Sequence, residues 1–376
     1  MAAIHYLTAI EFEHGAIRQL AAIAAAHGMA RPLLVTDPGL AASPLMAVVR
    51  GHLAAFALAE FVETPANPTE AAVLAGVASY RRHNCDGVVA FGGGSSIDLA
   101  KAVALAATHD GPLERFALVE GGLAHITNSV APVVAVPTTA GTGSEVGRGA
   151  LITLGDGRKL GLISPHLIPR AAVCDPELTL GLPPALTAAT GMDALTHCIE
   201  TFLSPRVNPP ADAIALDGAA RAARWIEAAF RDGSDRDARW HMMMASLQGG
   251  LTFQKGLGAV HSMSHPLGGL KAVSLHHGTL NAVILPAVLR FNRSHAGDKF
   301  AALESALRVP AGVELADHVA ALNARLGLPA SLRAMGVTES MVAQVLDGAV
   351  KDHSTATNPR PVTRADFERL FEQSMG

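Results

Sequence analysis

The strongest constraint on this chain is a change of period near its middle. In the first half, short apolar runs alternate with stretches of helical spacing. Pro32–Thr36 (PLLVT), Gly87–Phe91 (GVVAF) and Pro132–Val136 (PVVAV) are such runs, and Glu60–Glu63 (EFVE) is a shorter one. Strands that are apolar on both faces belong in a parallel sheet covered by helices on each side. The segments between them, 16–27, 45–58, 70–82 and 96–109, place their apolar residues at helical spacing. Beyond the turn-rich TLGLPP the strand pattern stops, which puts a boundary near residues 178–184. Helical spacing then continues over about 185–203, 210–230, 236–253, 258–269, 278–292, 298–307, 314–326, 339–350 and 364–374. The expectation is an α/β domain over 1–180 and an all-α domain over 181–376.

Composition supports that size of fold. A chain of 376 residues exceeds one ordinary core. With 49% hydrophobic and 16% charged residues it can bury two cores and is not disordered. A net charge of −4 argues against nucleic acid or an anionic membrane as partner. No apolar run reaches the ~18 residues of a spanning helix. Cys85, Cys174 and Cys198 are scattered and form no CxxC pair, which speaks against a disulfide framework or a thiolate zinc site. That cysteine usage suits a reducing, cytoplasmic setting. The N-terminus lacks the basic start and apolar core of a signal peptide.

Two loops are built for anions. GVVAF runs straight into Gly92-Gly93-Gly94-Ser95-Ser96 and then a helical stretch, IDLAKAVALAA. Glycines let a backbone approach a bulky phosphate, and Ser95 and Ser96 are placed to cap the helix whose N–H groups would face it. The plainer reading is a tight strand-to-helix turn. PVVAV is followed by Pro137-Thr138-Thr139-Ala140-Gly141-Thr142-Gly143-Ser144-Glu145, where hydroxyls and glycines alternate at the end of a strand. Ligands bind parallel sheets at such strand ends. Asp37, just past PLLVT, either accepts from an adenosine ribose, which favours NAD over NADP, or caps the turn before Pro38.

The second half carries the metal-ligand chemistry. Asp193 and His197 in GMDALTHCIE are spaced i, i+4 and share a helix face. His261 and His265 in VHSMSHPLG repeat that spacing, and His276-His277 follow. One carboxylate with several imidazoles and no thiolate suits Fe(II) or Zn(II), with Ni, Co or Mn as further options. A single such pair arises often by chance; two pairs plus a third histidine group in one half of a chain do not. Such a metal would polarise an alcohol or carbonyl oxygen, and His265 is placed one turn from His261 to relay a proton.

The motifs GGGSSIDLAK, PTTAGTGSEV, DPELTLGLPP, GMDALTHCIE, GLGAVHSMSHPLGG and HHGTLNAVILP, with the tail LGLPASLRAMGV and TNPRPVT, resemble in order those of the iron-containing (group III) alcohol dehydrogenases. The likeness runs through nearly the whole chain. It implies a dehydroquinate-synthase-like fold: a Rossmann-like α/β domain, a helical domain, and an active site in the cleft between them, commonly in dimers or larger homo-oligomers. By motif match it implies Asp193, His197, His261 and His277 as metal ligands and His265 beside substrate and nicotinamide. It places Asp37, Asn67, Gly93, Gly94, Ser95, Asp98, Thr138, Thr139, Ser144, Lys159 and Leu178 at NAD. There are two departures. The stretch between HPLG and HG is about two residues longer than in common members and ends in a double histidine, so His276 rivals His277. Gln254-Lys255 stands where many relatives carry Asn-Ala; Lys255 is either a solvated helix-end lysine or a partner for an anionic substrate.

The expected function is an NAD- and metal-dependent dehydrogenase of small primary alcohols or diols. A hydroxy-acid dehydrogenase, for instance on 4-hydroxybutyrate, is the alternative that Lys255 raises. A maleylacetate-reductase-like enzyme and an NAD-using lyase of the dehydroquinate-synthase type are more distant ones.

Overall fold

The structure is a computed structural model and describes residues 8–270 and 272–376. These residues fall into two compact units, an α/β unit of 8–139 and 144–180 and a helical unit of 140–143 and 181–376.

The α/β unit contains β1 (Ala9–Phe12), β2 (Pro32–Val35), β3 (Ala59–Phe61), β4 (Gly87–Gly92), β5 (Val133–Pro137), β6 (Gly149–Thr153), β7 (Lys159–Ile163) and β8 (Ala171–Cys174). Six strands form one sheet in the order β1-β8-β5-β4-β2-β3, with every neighbouring pair parallel. Side chains alternate across a strand, and here both faces are covered. Leu33, Val35, Val88, Ala90, Val133 and Ala135 enter one apolar core. Their neighbours Leu34, Val89, Phe91, Val134 and Val136 enter the other. That is why β2, β4 and β5 are unbroken apolar runs. β6 and β7 pair antiparallel outside this sheet.

The helices of this unit are α1 (Leu20–Ala26), α2 (Pro38–Ala41), α3 (Pro44–His52), α4 (Glu70–Arg82) and α5 (Gly94–Ala106). Thr69 starts α4 by accepting from the Ala72 N–H at 3.2 Å. The helix expected over 45–58 stops at His52, because the chain must turn into β3: Ala57 N–H donates to Ala30 O at 3.1 Å. The helix expected from residue 96 instead starts at Gly94, so Ser95 and Ser96 lie inside its first turn and do not cap it.

The helical unit contains α6 (Pro184–Leu203), α7 (Pro209–Arg231), α8 (Arg236–Leu251), α9 (Ala259–Gly268), α10 (His277–Asn292), α11 (Lys299–Ala306), α12 (Leu315–Arg325), α13 (Glu339–Lys351) and α14 (Arg364–Met375). Side-chain caps mark the starts: Asn208 accepts from Ala211 N–H, Asp235 from Ala238 N–H, and Thr363 and Asp366 form a capping box. From Thr187 to Leu203, α6 is buried all round, and it packs against α7, α8 and α10. A helix buried on every face needs small and apolar residues throughout, which is how ALTAATGMDALTHCIETFL reads. The segment 140–143 reaches the helical unit through a close backbone contact: Gly143 has φ +62°, and a Cβ there would lie 2.6 Å from Gly250 Cα. Among the described residues no helix is long and apolar enough to cross a membrane.

Candidate metal centre

Three helices converge on one buried point. Asp193 and His197 project from α6, His261 and His265 from α9, and His277 opens α10. The Oδ1 of Asp193 lies 3.7 Å from His197 Nε2, 3.7 Å from His277 Nε2 and 4.0 Å from His261 Nε2. All four ligand-type atoms lie within 4.8 Å of one another. Asp193, His197 and His261 are buried, and the His277 side chain is 24% exposed. His276 caps α10 from an exposed position and is outside this group.

The approach of α10 to α6 depends on a glycine. A Cβ on Gly278 would lie 2.2 Å from the Ala189 carbonyl oxygen and 3.1 Å from Asp193 Cβ. Only the absent side chain lets His277 sit so close to Asp193.

The outward faces of the imidazoles are fixed by hydrogen bonds. His197 Nδ1 lies 3.2 Å from the Gly141 carbonyl, and His261 Nδ1 lies 2.5 Å from Glu200 Oε2. The other carboxylate oxygen of Glu200 accepts from Val260 N–H at 2.8 Å. With Nδ1 as donor, each neutral ring turns its Nε2 lone pair toward Asp193, the tautomer a metal ligand needs. Burial pushes the His197 pKa down to about 4, against the pull of Asp193, so this ring is neutral near pH 7. At His261 burial also opposes the charge, but the Glu200 hydrogen bond and carboxylate outweigh it and the pKa is raised. Glu200 escaped the sequence reading. Its signal was present, since Asp193, His197 and Glu200 follow i, i+4, i+7 along one face of α6.

Asn281 exposes the character of the point where these atoms meet. Its Nδ2 donates to Asp193 Oδ1 at 2.7 Å and lies 3.1 Å from both His261 Nε2 and His277 Nε2. An amide nitrogen has two protons and cannot serve three acceptors. Its Oδ1 is buried without a hydrogen-bond partner. An excess of lone pairs over protons at a buried point is the environment of a cation.

His265 lies beside this group. Its Nδ1 lies 2.9 Å from Asp352 Oδ2, and its ring stacks on His277 at 5.6 Å and on His353 at 5.6 Å. His265, Asp352 and His353 form a second cluster of potential ligand atoms. Burial works against the Asp352 charge, but His265 and its hydrogen bond, with His353, hold this carboxyl below the ordinary range.

Lys255 meets neither of its two expectations. It is fully buried, its Nζ bonds Asp212, and it donates to the Phe202 carbonyl at 3.2 Å. Lys299 shares both partners, at 3.4 Å and 2.5 Å. The 3-10 turn Phe253–Lys255 directs the side chain inward between α6, α7 and α11, so it is neither solvated nor offered to a substrate.

In the α/β unit, the residues expected at a dinucleotide gather at the carboxyl ends of neighbouring strands: Asp37 after β2, Gly93 and Gly94 after β4, Thr138 and Thr139 after β5, and Leu178 after β8. Asp37 caps α2, its Oδ1 accepting from Gly39 and Leu40 N–H at 2.9 and 3.0 Å. Gly93 approaches Thr139, with room for a Cβ only at 3.3 Å. The Ser95 hydroxyl donates to Ala66 O at 2.5 Å, and Lys159 Nζ donates to Asn67 Oδ1 at 3.0 Å. Asp98 works as an internal anchor: it accepts from Ser144 Oγ at 2.5 Å and from Leu151 N–H at 2.9 Å. Lys101, fully buried, fastens the same loop by donating to the Ser144, Gly147 and Gly149 carbonyls and to Ser144 Oγ. Sequence spacing gave no hint of Lys101, because its partners lie more than 40 residues away.

Comparison with known proteins agrees with this arrangement. Residues 8–176 match the iron-containing alcohol dehydrogenase family, and residues 187–375 match the C-terminal domain of the Fe-containing alcohol dehydrogenase family. The chain is 56% identical over 382 residues to a 4-hydroxybutyrate dehydrogenase of Cupriavidus necator, covering 100% of both chains. It superposes on a crystal structure of a 1,3-propanediol oxidoreductase with a TM-score of 0.92, at 36% identity and with 100% of each chain covered. A sulfoacetaldehyde reductase of Bifidobacterium kashiwanohense, solved in complex with NAD+, gives a TM-score of 0.87 at 27% identity over 100% of this chain and 98% of that one. The α/β sheet, the helical second half and these matches along the full length make the chain an oxidoreductase of the iron-containing alcohol dehydrogenase family.

Proposed function

We propose that the chain is an NAD-linked, divalent-metal-dependent dehydrogenase that interconverts a short primary alcohol and its aldehyde, with 1–180 as the cofactor-binding domain and 181–376 as the catalytic one. Asp193, His197, His261 and His277 are its metal ligands. The observation that carries this reading is the set of four buried or half-buried ligand atoms within 4.8 Å of one another, three of them crowded on the Asn281 amide nitrogen. The donors fit the metal by type and spacing. Asp193 Oδ1 lies 3.7 to 4.0 Å from the three imidazole nitrogens, so all four residues could hold a single ion. One carboxylate and three imidazoles suit Fe(II) or Zn(II), and the family name favours iron. NAD is supported by the loops after β4 and β5 and by the NAD+ complex of the sulfoacetaldehyde reductase. Asp37 would repel a 2′-phosphate, which favours NAD over NADP.

When bound, the metal supplies Lewis acidity at the substrate oxygen and the nicotinamide carries the hydride. The chain supplies the proton path. Asp352 accepts from His265 Nδ1, so the neutral ring presents its Nε2 lone pair on the other side. That nitrogen takes the hydroxyl proton as the carbon loses its hydride, and in the reverse direction returns it to the new alcohol. Oxidation of the alcohol releases one hydride and one proton; bound nicotinamide would take the first, and His265 passes the second to solvent. Burial of Asp193, His197 and His261 keeps competing water out.

For the substrate, the 56% relative favours a four-carbon hydroxy acid, and the propanediol oxidoreductase likeness keeps diols in view. The test is NADH formation with 4-hydroxybutyrate, 1,4-butanediol and short alcohols, using chelated enzyme and enzyme reloaded with Fe(II) or Zn(II). Activity should return only with metal. Equal rates in chelated and reloaded samples would refute the metal role, and turnover without net NADH would point to a lyase.

A further inference from the structure

Resting on the metal-ligand reading above, we propose that Asn358 is a positioning residue of the metal centre: it fixes where α9 begins, and so where His261 stands. Asn358 belongs to TNPRPVT, a stretch with no part in the site described so far. Every helix begins with N–H groups that lack a partner in the helix. The N-cap residue of α9 is Gly258, which has no side chain to offer them. Two side chains from distant parts of the chain take them instead. Ala259 N–H donates to Asn358 Oδ1 at 3.0 Å, and Val260 N–H donates to Glu200 Oε1 at 2.8 Å. His261 follows directly, with its Nδ1 2.5 Å from the other oxygen of Glu200. A Cβ on Gly258 would lie 2.8 Å from Asn358 Oδ1 and 2.8 Å from Glu200 Oε1, so the chain enters α9 between these two acceptors only as glycine.

Asn358 is itself held at both ends of its amide, which makes it a fixed reference for the helix. Its Oδ1 also accepts from Asn292 Nδ2 at 3.0 Å, and its Nδ2 donates to Asn292 Oδ1 and to the Arg360 carbonyl, both at 2.7 Å. Both asparagines are buried. Asn292 ends α10, the helix that His277 opens. The neighbours of Asn358 make the same two connections. Thr357 Oγ1 donates to Leu257 O at 2.6 Å, just ahead of α9. Arg360 Nη1 donates to Phe291 O of α10 at 3.3 Å, and its guanidinium lies 4.0 Å from the Phe291 ring centroid. Residues 357–360 therefore strap the start of α9 to the end of α10, and Asn358 bonds both. Ligands held in place before the metal arrives raise its affinity, and a shift of α9 would carry His261 away from Glu200 and Asp193 together.

The experiment measures Zn(II) affinity by chelator competition, and the melting temperature of the metal-free protein, in wild type, N358L, N358D, N292L, G258A and H261A. Leucine is used because alanine would open onto a small cavity lined by Glu200, Leu285, Val288 and Asn292, where a water could take over the hydrogen bond. Loss of a partner that orients a ligand costs about 10- to 100-fold in metal affinity, and N358L should show that loss. N358D keeps an oxygen for Ala259 N–H and should recover most of it. N292L breaks the amide pair but leaves Asn358 between Ala259 and Arg360; its melting temperature should fall as in N358L while its affinity stays close to wild type. G258A crowds the same acceptors, should also lose affinity, and stands in for N358L if that variant does not fold. A normal affinity in N358L, or in G258A standing in for it, would overturn the inference. Equal losses of affinity in N358L and N292L would reduce Asn358 to packing and overturn it as well, as would an N358D that binds no better than N358L. If H261A binds Zn(II) as tightly as wild type, the four-ligand reading itself fails, whatever Asn358 does.

Discussion

Replacing Lys255 with methionine separates stability from substrate recognition. The substitution removes a fully buried ammonium and keeps most of the side-chain volume. Its two acceptors are not orphaned, because Lys299 also bonds the Phe202 carbonyl at 2.5 Å and reaches Asp212 at 3.4 Å. Burial lowers the Lys255 pKa to about 8, against the hydrogen bond to Asp212 and with help from the charge of Lys299. Relative to the ordinary 10.5 this lowering is worth on the order of 3 kcal/mol. The direction follows from proton counts. Between about 8 and 10.5 the unfolded chain holds more protons than the folded one, so wild-type stability rises with pH across that window. Below about 8 the whole penalty is present.

K255M escapes the penalty and gives up two hydrogen bonds of about 1 kcal/mol each. It should therefore be equal to wild type or more stable by about 1 kcal/mol at pH 7. Its advantage should shrink and then reverse as the pH approaches 10.5. Denaturant midpoints of the two proteins at pH 7 and pH 10.5 measure this directly. A loss of more than about 2 kcal/mol at pH 7 would mean that the pair more than repays its desolvation, and the reasoning would fail. The ratio of kcat/KM for 4-hydroxybutyrate to that for 1,4-butanediol should stay within twofold of wild type. A rise in KM for the acid alone would return Lys255 to the substrate.

Two further substitutions probe how the metal centre is held. Gly278→Ala puts a Cβ 2.2 Å from the Ala189 carbonyl and forces α10 away from α6. Overpacking of this kind costs about 1–3 kcal/mol, and His277 should lose its position, so metal titration should show weaker binding; a normal metal affinity would mean that the helix start adjusts freely. Glu200→Gln keeps an acceptor but loses the charge behind His261, and should weaken metal affinity about 10- to 100-fold. Chelator competition measures it, and an unchanged affinity would reduce the Glu200 contact to packing.

The fold was legible where one physical cause dominates. β2, β4 and β5 are apolar on both faces and stand out as unbroken runs, and the helices α6 to α14 among the described residues stand out by period. β1, with alternating exposed and half-exposed residues at the sheet edge, carries no such run. β8 is AAVC, four buried residues whose small side chains read equally as helix. β6 and β7 are specified by each other, through an antiparallel register that no local window contains. The starts of α5 and α3 show a related limit: serines near a helix start suggest a cap, but Gly93 holds the cap position of α5, and the Ser43 hydroxyl before α3 donates back to the Leu40 carbonyl at 2.8 Å instead of capping the helix.

The candidate site divides along the same line. Asp193 with His197, and His261 with His265, are each one helical turn apart, so spacing alone puts each pair on a common helix face. Joining the two pairs to His277 needs tertiary contact, and only the Gly278 approach to Ala189 explains why the second histidine of HHG, not the first, turns inward. Lys255 shows the converse. Its sequence neighbourhood, between Gln254 and Gly256, reads as a polar helix end, yet its surroundings are set by Asp212 and Lys299, 43 and 44 residues away. A charge can be read from sequence, but its partner cannot, and for Lys255 the partner decides the role. Lys255 is neutralised by Asp212 inside the helical unit, so a lysine that reads as a candidate for an anionic substrate serves to hold α6 and α7 together.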